Sequence, residues 1–478
     1  MTTQLSDLTA LEQSTGIRAG EFSCGELTQH YLDRTTALDP VVGAFAHLAA
    51  EQALVQAAEV DQALARGDSA DSDALVGCVA PVKDLDLVAG MPCTFGSRAM
   101  ADFVAPVDSA FVKRMRAAGL VITGKTSTPE FGFPSYTDND LGHTARTPWD
   151  LERSAGGSSG GAATAVATGL ASVAQGSDGG GSIRIPASVT GLVGIKPARG
   201  RVSNLPLGES VGELAVVGPL GRTVADAAAL LDVLAGSTDA DLFGLPNAAP
   251  GSFLAAARRD PGPLVIGRFS RPMVVDADVD DECIAAYEEA TNVLTDLGHE
   301  VRDIERPFTP EAVPAFETVW RVGAAALPLT DSQVDLLTPL TRHLRELGQQ
   351  YSAADLALAV SVMRRAAAQA IEATSGCDVL LTPTLAQLPA ELAGLRLDHD
   401  PAEDFENQKR FTPFTAPFNV SGQPAISVPV HHTDRGLPVG VQLVGRPRDE
   451  WTIISLAAQM ERAVQWHLRM PDLRGPHG

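Results

Sequence analysis

Residues 156–197 read GGSSGGAATAVATGLASVAQGSDGGGSIRIPASVTGLVGIKP, with a Gly/Ser cluster at the start and another near the middle. Between the clusters, AATAVATG has the small-residue texture of a close-packed helix, and ASVAQG reads as a short strand. Upstream, FVKRMRAAG reads as a helix and LVITG as a strand. Helix and strand signals that alternate over 75–240, among many glycines, predict a layered α/β fold. The clustered serines leave three readings open: a flexible linker, a phosphate cradle, or a site with a reactive serine.

Outward from this segment the texture changes. Residues 5–66 are rich in Ala, Leu, Glu and Gln. Two long runs there, ALEQSTGIRAGEFSCGELTQHYLDRTTALD and AHLAAEQALVQAAEVDQALARG, show helical spacing, with Gly67 closing the second. RTVADAAALLDVLAG at 222–236 predicts one helix, capped by Thr223 with Asp226 three residues on and stopped by Gly236. The Pro/Gly/Asp-rich stretch 237–263 reads as a surface connection, and PLVIGRFS at 263–270 resumes a strand. Residues 280–375 are mainly helical and are expected to form a lobe beside the sheet. Late strands are predicted in CDVLLTPTLAQLP, GQPAISVPVHH and LPVGVQLVGRP, then a last helix over 450–464.

The net charge of −23 and the scattered basic residues exclude a nucleic-acid surface, which needs clustered Lys and Arg. No apolar run is long enough to span a bilayer, so no membrane partner is expected. The N-terminal stretch resembles neither a signal nor a transit peptide. Five widely spaced cysteines without metal-ligand spacing point to reduced thiols and a cytoplasmic protein.

Two generic motifs match by letter only. GLVITGKT at 119–126 fits a phosphate loop, yet its middle residues read as the strand itself and Pro129 follows soon after. GGSSG at 156–160 fits the elbow of an α/β-hydrolase with Ser158 as nucleophile, yet the preceding TPWDLERSA is too polar for the buried strand an elbow requires. If a serine is the nucleophile, it needs a base. Of ten histidines only His143 lies near the clusters, and an ordinary loop role accounts for it. Lys83, in the strand-like VAPVKDLDLVAG, has apolar flanks. Burial there would favour its neutral amine, although most lone lysines are simply solvated.

With these residues in view, the 156–197 block resembles the signature segment of the amidase signature family of hydrolases. PVKDLDLVAGMPCTFGS, GKTSTPEFG, TPWD, GPLGRTVADAAALLDVLAG and FNVSGQPAISVPV with GLPVGVQLVG resemble its other blocks, so the likeness covers about 5–465. It implies one domain over 1–478 built on a large mixed β-sheet covered on both faces by helices. Its parts would be N-terminal helices (1–66), a catalytic α/β core (75–240), the helical lobe shaping the substrate side (280–375), and late strands with a C-terminal helix (376–465). It implies a Ser–cis-Ser–Lys set: Ser182 as nucleophile, Ser158 bridging after a cis peptide bond, and Lys83 as base. The amides of Gly179, Gly180, Gly181 and Ser182 would form the oxyanion hole. Ser159, Asp178 and Arg184 would support the set, Ser159 by donating to the lysine's network. One departure stands beside the lysine: Gly77-Cys78-Val79 replaces the frequent Gly-Val-Pro. A covalent role for Cys78 or Cys93 rests on proximity alone.

The implied reaction is hydrolysis of a carbon–nitrogen amide bond through an acyl-enzyme, with no metal or organic cofactor. The expected partner is a small-molecule amide or carbamate, and the protein a monomer or homodimer. Carbamate or ester cleavage on the same set is the alternative. A glutamine amidotransferase subunit is less favoured, because Pro129-Glu130-Phe131-Gly132-Phe133 stands where that subgroup has Asp-Glu-Phe-Ala-Met-Gly. Phe131, Phe133, Tyr136, Trp320 and Phe414, with Phe316 and Phe418, are candidates for an apolar pocket that would take a medium-sized apolar or aryl amide.

Overall fold

The computed structural model describes residues 4–68, 74–208, 210–249, 251–308, 310–471 and 473. The ends of the expected domain and His477 lie outside the described residues. Eleven strands are described: β1 (Phe45–Leu48), β2 (Val82–Lys83), β3 (Gly124–Thr126), β4 (Ala174–Asp178), β5 (Val193–Lys196), β6 (Val216–Gly221), β7 (Val265–Arg268), β8 (Glu300–Asp303), β9 (Val379–Pro383), β10 (Ala425–His432) and β11 (Pro438–Gly445). They form a small sheet of order β1-β3-β2 and an eight-stranded sheet of order β4-β6-β5-β10-β11-β9-β7-β8. The large sheet is mixed: β7 runs parallel to β8 and β9, and the other pairings are antiparallel.

The period-two rule of strands sorts its side chains onto two faces. Ile426, Val428 and Val430 of β10, with Val439, Val441 and Leu443 of β11, enter the largest apolar body. There they meet the helices Val224–Leu234, Asp281–Asp296 and Glu450–Val464. Each fully buried Val, Leu or Ile contributes about 1.5–3 kcal/mol. The intervening Gly440 and Gln442 instead contact the Arg184–Thr190 helix, through Ser188 and Arg184. That second face, through Ser177 and Asp178 of β4, contributes polar residues to the site. The helix Gly160–Ala167, buried along its whole length, packs beside it on β4.

Several sequence expectations shift. The LVITG strand is displaced: Val121 makes only an isolated bridge with Val79, and the ladder starts at Gly124, where β1 lies alongside. The ASVAQG strand begins at Ala174 and runs on to Asp178. The first N-terminal run is two helices, Ala10–Ala19 and Cys24–Val42, separated at Gly20 in the left-handed region and each opened by a capping box. The second run gives up its first residues to β1, because His47 and Leu48 pair with Lys125 and Gly124. Thr223 does cap its helix, but the stop is tertiary: Ala235 turns extended and the Gly236 amide donates to the Arg201 carbonyl. The span 280–375 divides, since Asp281–Asp296 packs on β9, β10 and β11 and β8 joins the sheet edge. Among the described residues of this span, the helix Val313–Ala325 is the one that lines the cleft over the site.

Candidate active site

Lys83 ends β2, and its side chain is fully buried. Its backbone amide donates to Gln175 Oε1 at 2.9 Å. Its Nζ lies 2.8 Å from Ser158 Oγ, 3.2 Å from Ser177 Oγ and 3.3 Å from the Ser177 carbonyl. Burial drives the amine's pKa down from its ordinary 10.5 to about 7, although the Asp86 and Asp178 carboxylates oppose the fall. An amine in this state is a base at neutral pH, which a solvated lysine is not.

Ser158 follows a cis Gly157–Ser158 peptide bond. A side chain at Gly157 would run into the Tyr136 backbone, so this approach admits only glycine. Thr128 Oγ1 donates to the Ser158 carbonyl at 3.1 Å. The Ser159 amide donates to the Ser182 carbonyl at 3.1 Å, which ties the two Gly/Ser clusters together. Ser159 Oγ donates to the Ser177 carbonyl (3.1 Å) and accepts from the Ser177 amide (3.3 Å). Ser159 therefore braces Ser177 and does not touch the amine; the second hydroxyl on Lys83 is that of Ser177, which sequence reasoning missed. Its only signal was a serine directly before Asp178, the last residue of its strand.

The turn bearing Ser182 is organised by one carboxylate. Asp178 accepts from the amides of Gly181 (2.8 Å) and Ile183 (3.2 Å), from Arg184 Nε and Nη2 (2.9 Å each), and from Asn419 Nδ2 (2.9 Å). Burial alone would raise the Asp178 pKa; the Arg184 guanidinium overrides it and holds the carboxyl well below the usual range. Gly181 sits at φ 133°, and a side chain there would strike Thr415. Because the Gly181 amide is taken by Asp178, it is removed from the expected oxyanion donors. The amides of Gly179, Gly180 and Ser182 make no hydrogen bond among the described residues, and they stay available. Ser182 is 7% exposed. Its hydroxyl likewise makes no hydrogen bond among the described residues, so the Ser158–Ser182 contact of the expected relay is not formed.

A cleft opens over this turn. Phe133, Phe316 and Trp320 line it with Ser182 and Ile185. Phe316 stacks on Trp320 (5.4 Å, 21°), and Phe133 meets Trp320 edge-on (5.6 Å). The Trp320 ring faces Gly179 and the Phe316 ring faces Gly180. The remaining aromatic candidates are elsewhere. Phe131, at φ 49°, stacks on Phe95. Tyr136 is buried with its hydroxyl donating to Asp404 Oδ2 at 2.8 Å. Phe414 is buried in the interior, and Phe418 packs edge-on to Phe308. Side chains that were required to fill the core were not available to the cleft.

Other motif residues are accounted for by structure. Lys125 of GKT is buried against Asp84 Oδ1 (3.0 Å) and the Asp86 carbonyl (2.7 Å), and no α-helix follows β3 at a phosphate-loop distance. All five cysteines are unbridged and buried. Burial pushes the Cys93 thiol up to about 12 and Cys78 well above its ordinary value, so neither is a thiolate. Among the described residues no group of His, Cys, Asp and Glu has a metal-holding arrangement, and no helix is long and apolar enough to cross a membrane.

The amidase family's sequence profile matches residues 26–454. A putative amidase of Synechocystis is 37% identical over 96% of this chain and 89% of its own length. The 6-aminohexanoate-cyclic-dimer hydrolase of Paenarthrobacter ureafaciens is 35% identical over 98% of this chain and 97% of its own. Among solved structures, a 6-aminohexanoate cyclic dimer hydrolase complexed with substrate superposes with a TM-score of 0.89 at 32% identity, covering 98% of this chain and all of that one. A bacterial aryl acylamidase superposes at 0.87 with 27% identity, over 98% and 99% of the two chains.

Proposed function

This chain belongs to the amidase family, hydrolases of carbon–nitrogen amide bonds, and from that premise we propose that it cleaves medium-sized apolar or aryl amides through an acyl-enzyme on Ser182. The observation that carries the reading is the buried Lys83 amine 2.8 Å from Ser158 Oγ, with a pKa near 7. Neutral Lys83 takes the Ser158 proton as Ser158 takes that of Ser182. Ser182 Oγ then attacks the carbonyl carbon, and the oxyanion meets the free amides of Gly179, Gly180 and Ser182. One such donor is worth about 2.7–4 kcal/mol in the transition state. The relay runs back to protonate the departing nitrogen as the C–N bond breaks. Water then adds to the ester and releases the carboxylate. This sequence requires Ser182 to close onto Ser158 when substrate fills the cleft.

The Phe133, Phe316 and Trp320 wall supports an aryl or alkyl group beside the scissile bond, and the aryl acylamidase neighbour supports the aryl case. An aryl carbamate presents the same carbonyl against the same wall and is the second reading. Buried, unbridged cysteines suit a reducing cytoplasm, where we place a monomeric or homodimeric enzyme. Product analysis on a primary amide, an anilide and an aryl carbamate tests the reading, with Ser182→Ala as control. Anilide turnover is expected, lost in the control. A fluorophosphonate is expected to label Ser182; labelling of Ser158 would replace this assignment. No cofactor enters the chemistry, so dialysis against EDTA is expected to leave turnover unchanged.

A further inference from the structure

In the turn that carries Ser182, the peptide between Gly180 and Gly181 has no side chain on either side, so nothing local fixes its rotation. Contacts from elsewhere hold it at both ends. Its N–H donates to Asp178 Oδ1 at 2.8 Å, and its carbonyl accepts from Thr415 Oγ1 at 2.6 Å. Arg184 closes the circuit: Nη2 donates to Asp178 Oδ1 and Nη1 to the Thr415 carbonyl, each at 2.9 Å. Thr415 is fully buried in the bend between the helices Pro401–Phe411 and Pro417–Val420, 235 positions along the chain from Gly180. Its side chain packs so closely on Gly181 that a Cβ there would collide with the hydroxyl. Thr412 and Ala416 of the same bend line the cleft, and Thr415 between them turns its hydroxyl to the Gly180 carbonyl.

The amides of Gly180 and Ser182 belong to the peptides on either side of this one, so its rotation sets where they point. We propose that Thr415 is a positioning residue for the reaction: its hydroxyl, opposite the Asp178 grip on the same peptide, holds the Gly180 and Ser182 amides at the bearing the oxyanion needs. This rests on the amidase reading above. Without its donor, the Gly180 carbonyl is free to swing between its two glycines, and the flanking amides move with it. A shift of about 1 Å in such a group can cost about 10²-fold in rate. The loss falls on the transition state, because the full negative charge these amides meet is absent from the bound substrate.

The test compares Thr415→Val, which has nearly the same shape and no donor, with Thr415→Ser, which keeps the donor. Hexanoic anilide is the substrate, and two ketones separate the states. Benzyl methyl ketone occupies the cleft as an intact carbonyl. Benzyl trifluoromethyl ketone adds Ser182 Oγ to its carbonyl carbon; the C=O pair passes to oxygen as an oxyanion, and the serine proton passes through Ser158 to Lys83. Thr415→Val is expected to lower kcat and the affinity for the trifluoromethyl ketone by one factor, about 10²-fold. KM and the affinity for benzyl methyl ketone are expected to hold within about twofold. Thr415→Ser is expected to recover most of the loss, and Thr415→Ala gives the same readouts as Thr415→Val should that protein not fold. A donorless variant with wild-type kcat and trifluoromethyl ketone affinity overturns the proposal. So does an equal loss of both ketones, the mark of a merely structural role, or a Thr415→Ser protein that shows the full loss of about 10²-fold. In each of these cases wild-type turnover leaves the amidase reading standing. If the wild-type protein neither hydrolyses the anilide nor binds the trifluoromethyl ketone, both fall.

Discussion

Lys83 is a lysine only in name: its fold has removed the water that would keep it charged. Two consequences are measurable. As a base it must be neutral, so kcat/KM is expected to climb with pH through about 7, the value burial imposes. Lys83→Met is expected to lower kcat by about 10²–10⁴-fold or more at every pH. The same group affects stability. Between about 7 in the fold and its ordinary 10.5, the unfolded chain binds the extra proton, so this group makes stability rise with pH over that window. Lys83→Met removes the effect. Its stability gain over wild type is expected to be largest below pH 7 and to shrink toward 10.5, as read from urea unfolding at several pH values. A gain independent of pH would mean that the amine is not buried in the charged-disfavouring site described here.

At the scale of an element, the turn from β4 to the Arg184–Thr190 helix depends on Asp178, which gathers two amides, a guanidinium and an asparagine. A buried ion pair that loses one partner leaves the other charged and unmatched, at a cost of about 3–5 kcal/mol. Asp178→Asn is expected to destabilise by that order and to abolish turnover, because the Gly181 amide would lose its carboxylate and the turn its shape. Adding Arg184→Met is expected to restore part of the stability and none of the activity. Chemical denaturation of the single and double variants decides it; additive losses would show that the two side chains act independently.

Across the whole molecule, the helical wall of the cleft is fastened to the core by a few buried polar contacts. Glu130 accepts from Ser97 Oγ (2.6 Å), from the Thr338 amide (2.9 Å) and from Thr338 Oγ1 (2.7 Å), just where the helix Pro339–Gly348 begins. Gln408 Oε1 takes the Ser135 amide at 2.8 Å, and Tyr136 reaches Asp404. Glu130→Ala strands the Ser97 hydroxyl and the Thr338 amide, each worth about 1–3 kcal/mol when left unpaired, while Thr338 Oγ1 keeps Thr341 Oγ1 as a partner. The expected result is a higher KM for anilides with a smaller change in kcat, since the Glu130 hydrogen bonds go to Ser97 and Thr338, which hold the wall. An equal fall in both parameters would place Glu130 nearer the chemistry.

The amino-acid order by itself determined the layered α/β class, the serines between glycines, and the lysine flanked by apolar residues. Those features are written within a few adjacent residues, where backbone freedom at glycine and local hydrophobicity act directly. The tertiary structure alone decided which groups meet. Lys83 reaches Ser158 and Ser177 across more than seventy positions, Ser159 turns away from the amine, and the Gly181 amide is consumed by Asp178. It also decided which aromatics line the cleft: Phe133, Phe316 and Trp320 do, whereas Phe131, Tyr136 and Phe414 fill space elsewhere. No local preference distinguishes these rings, because each is apolar and large. Their roles depend on which helices pack together, and that follows from burying the sheet's apolar face and satisfying most buried polar groups on the other.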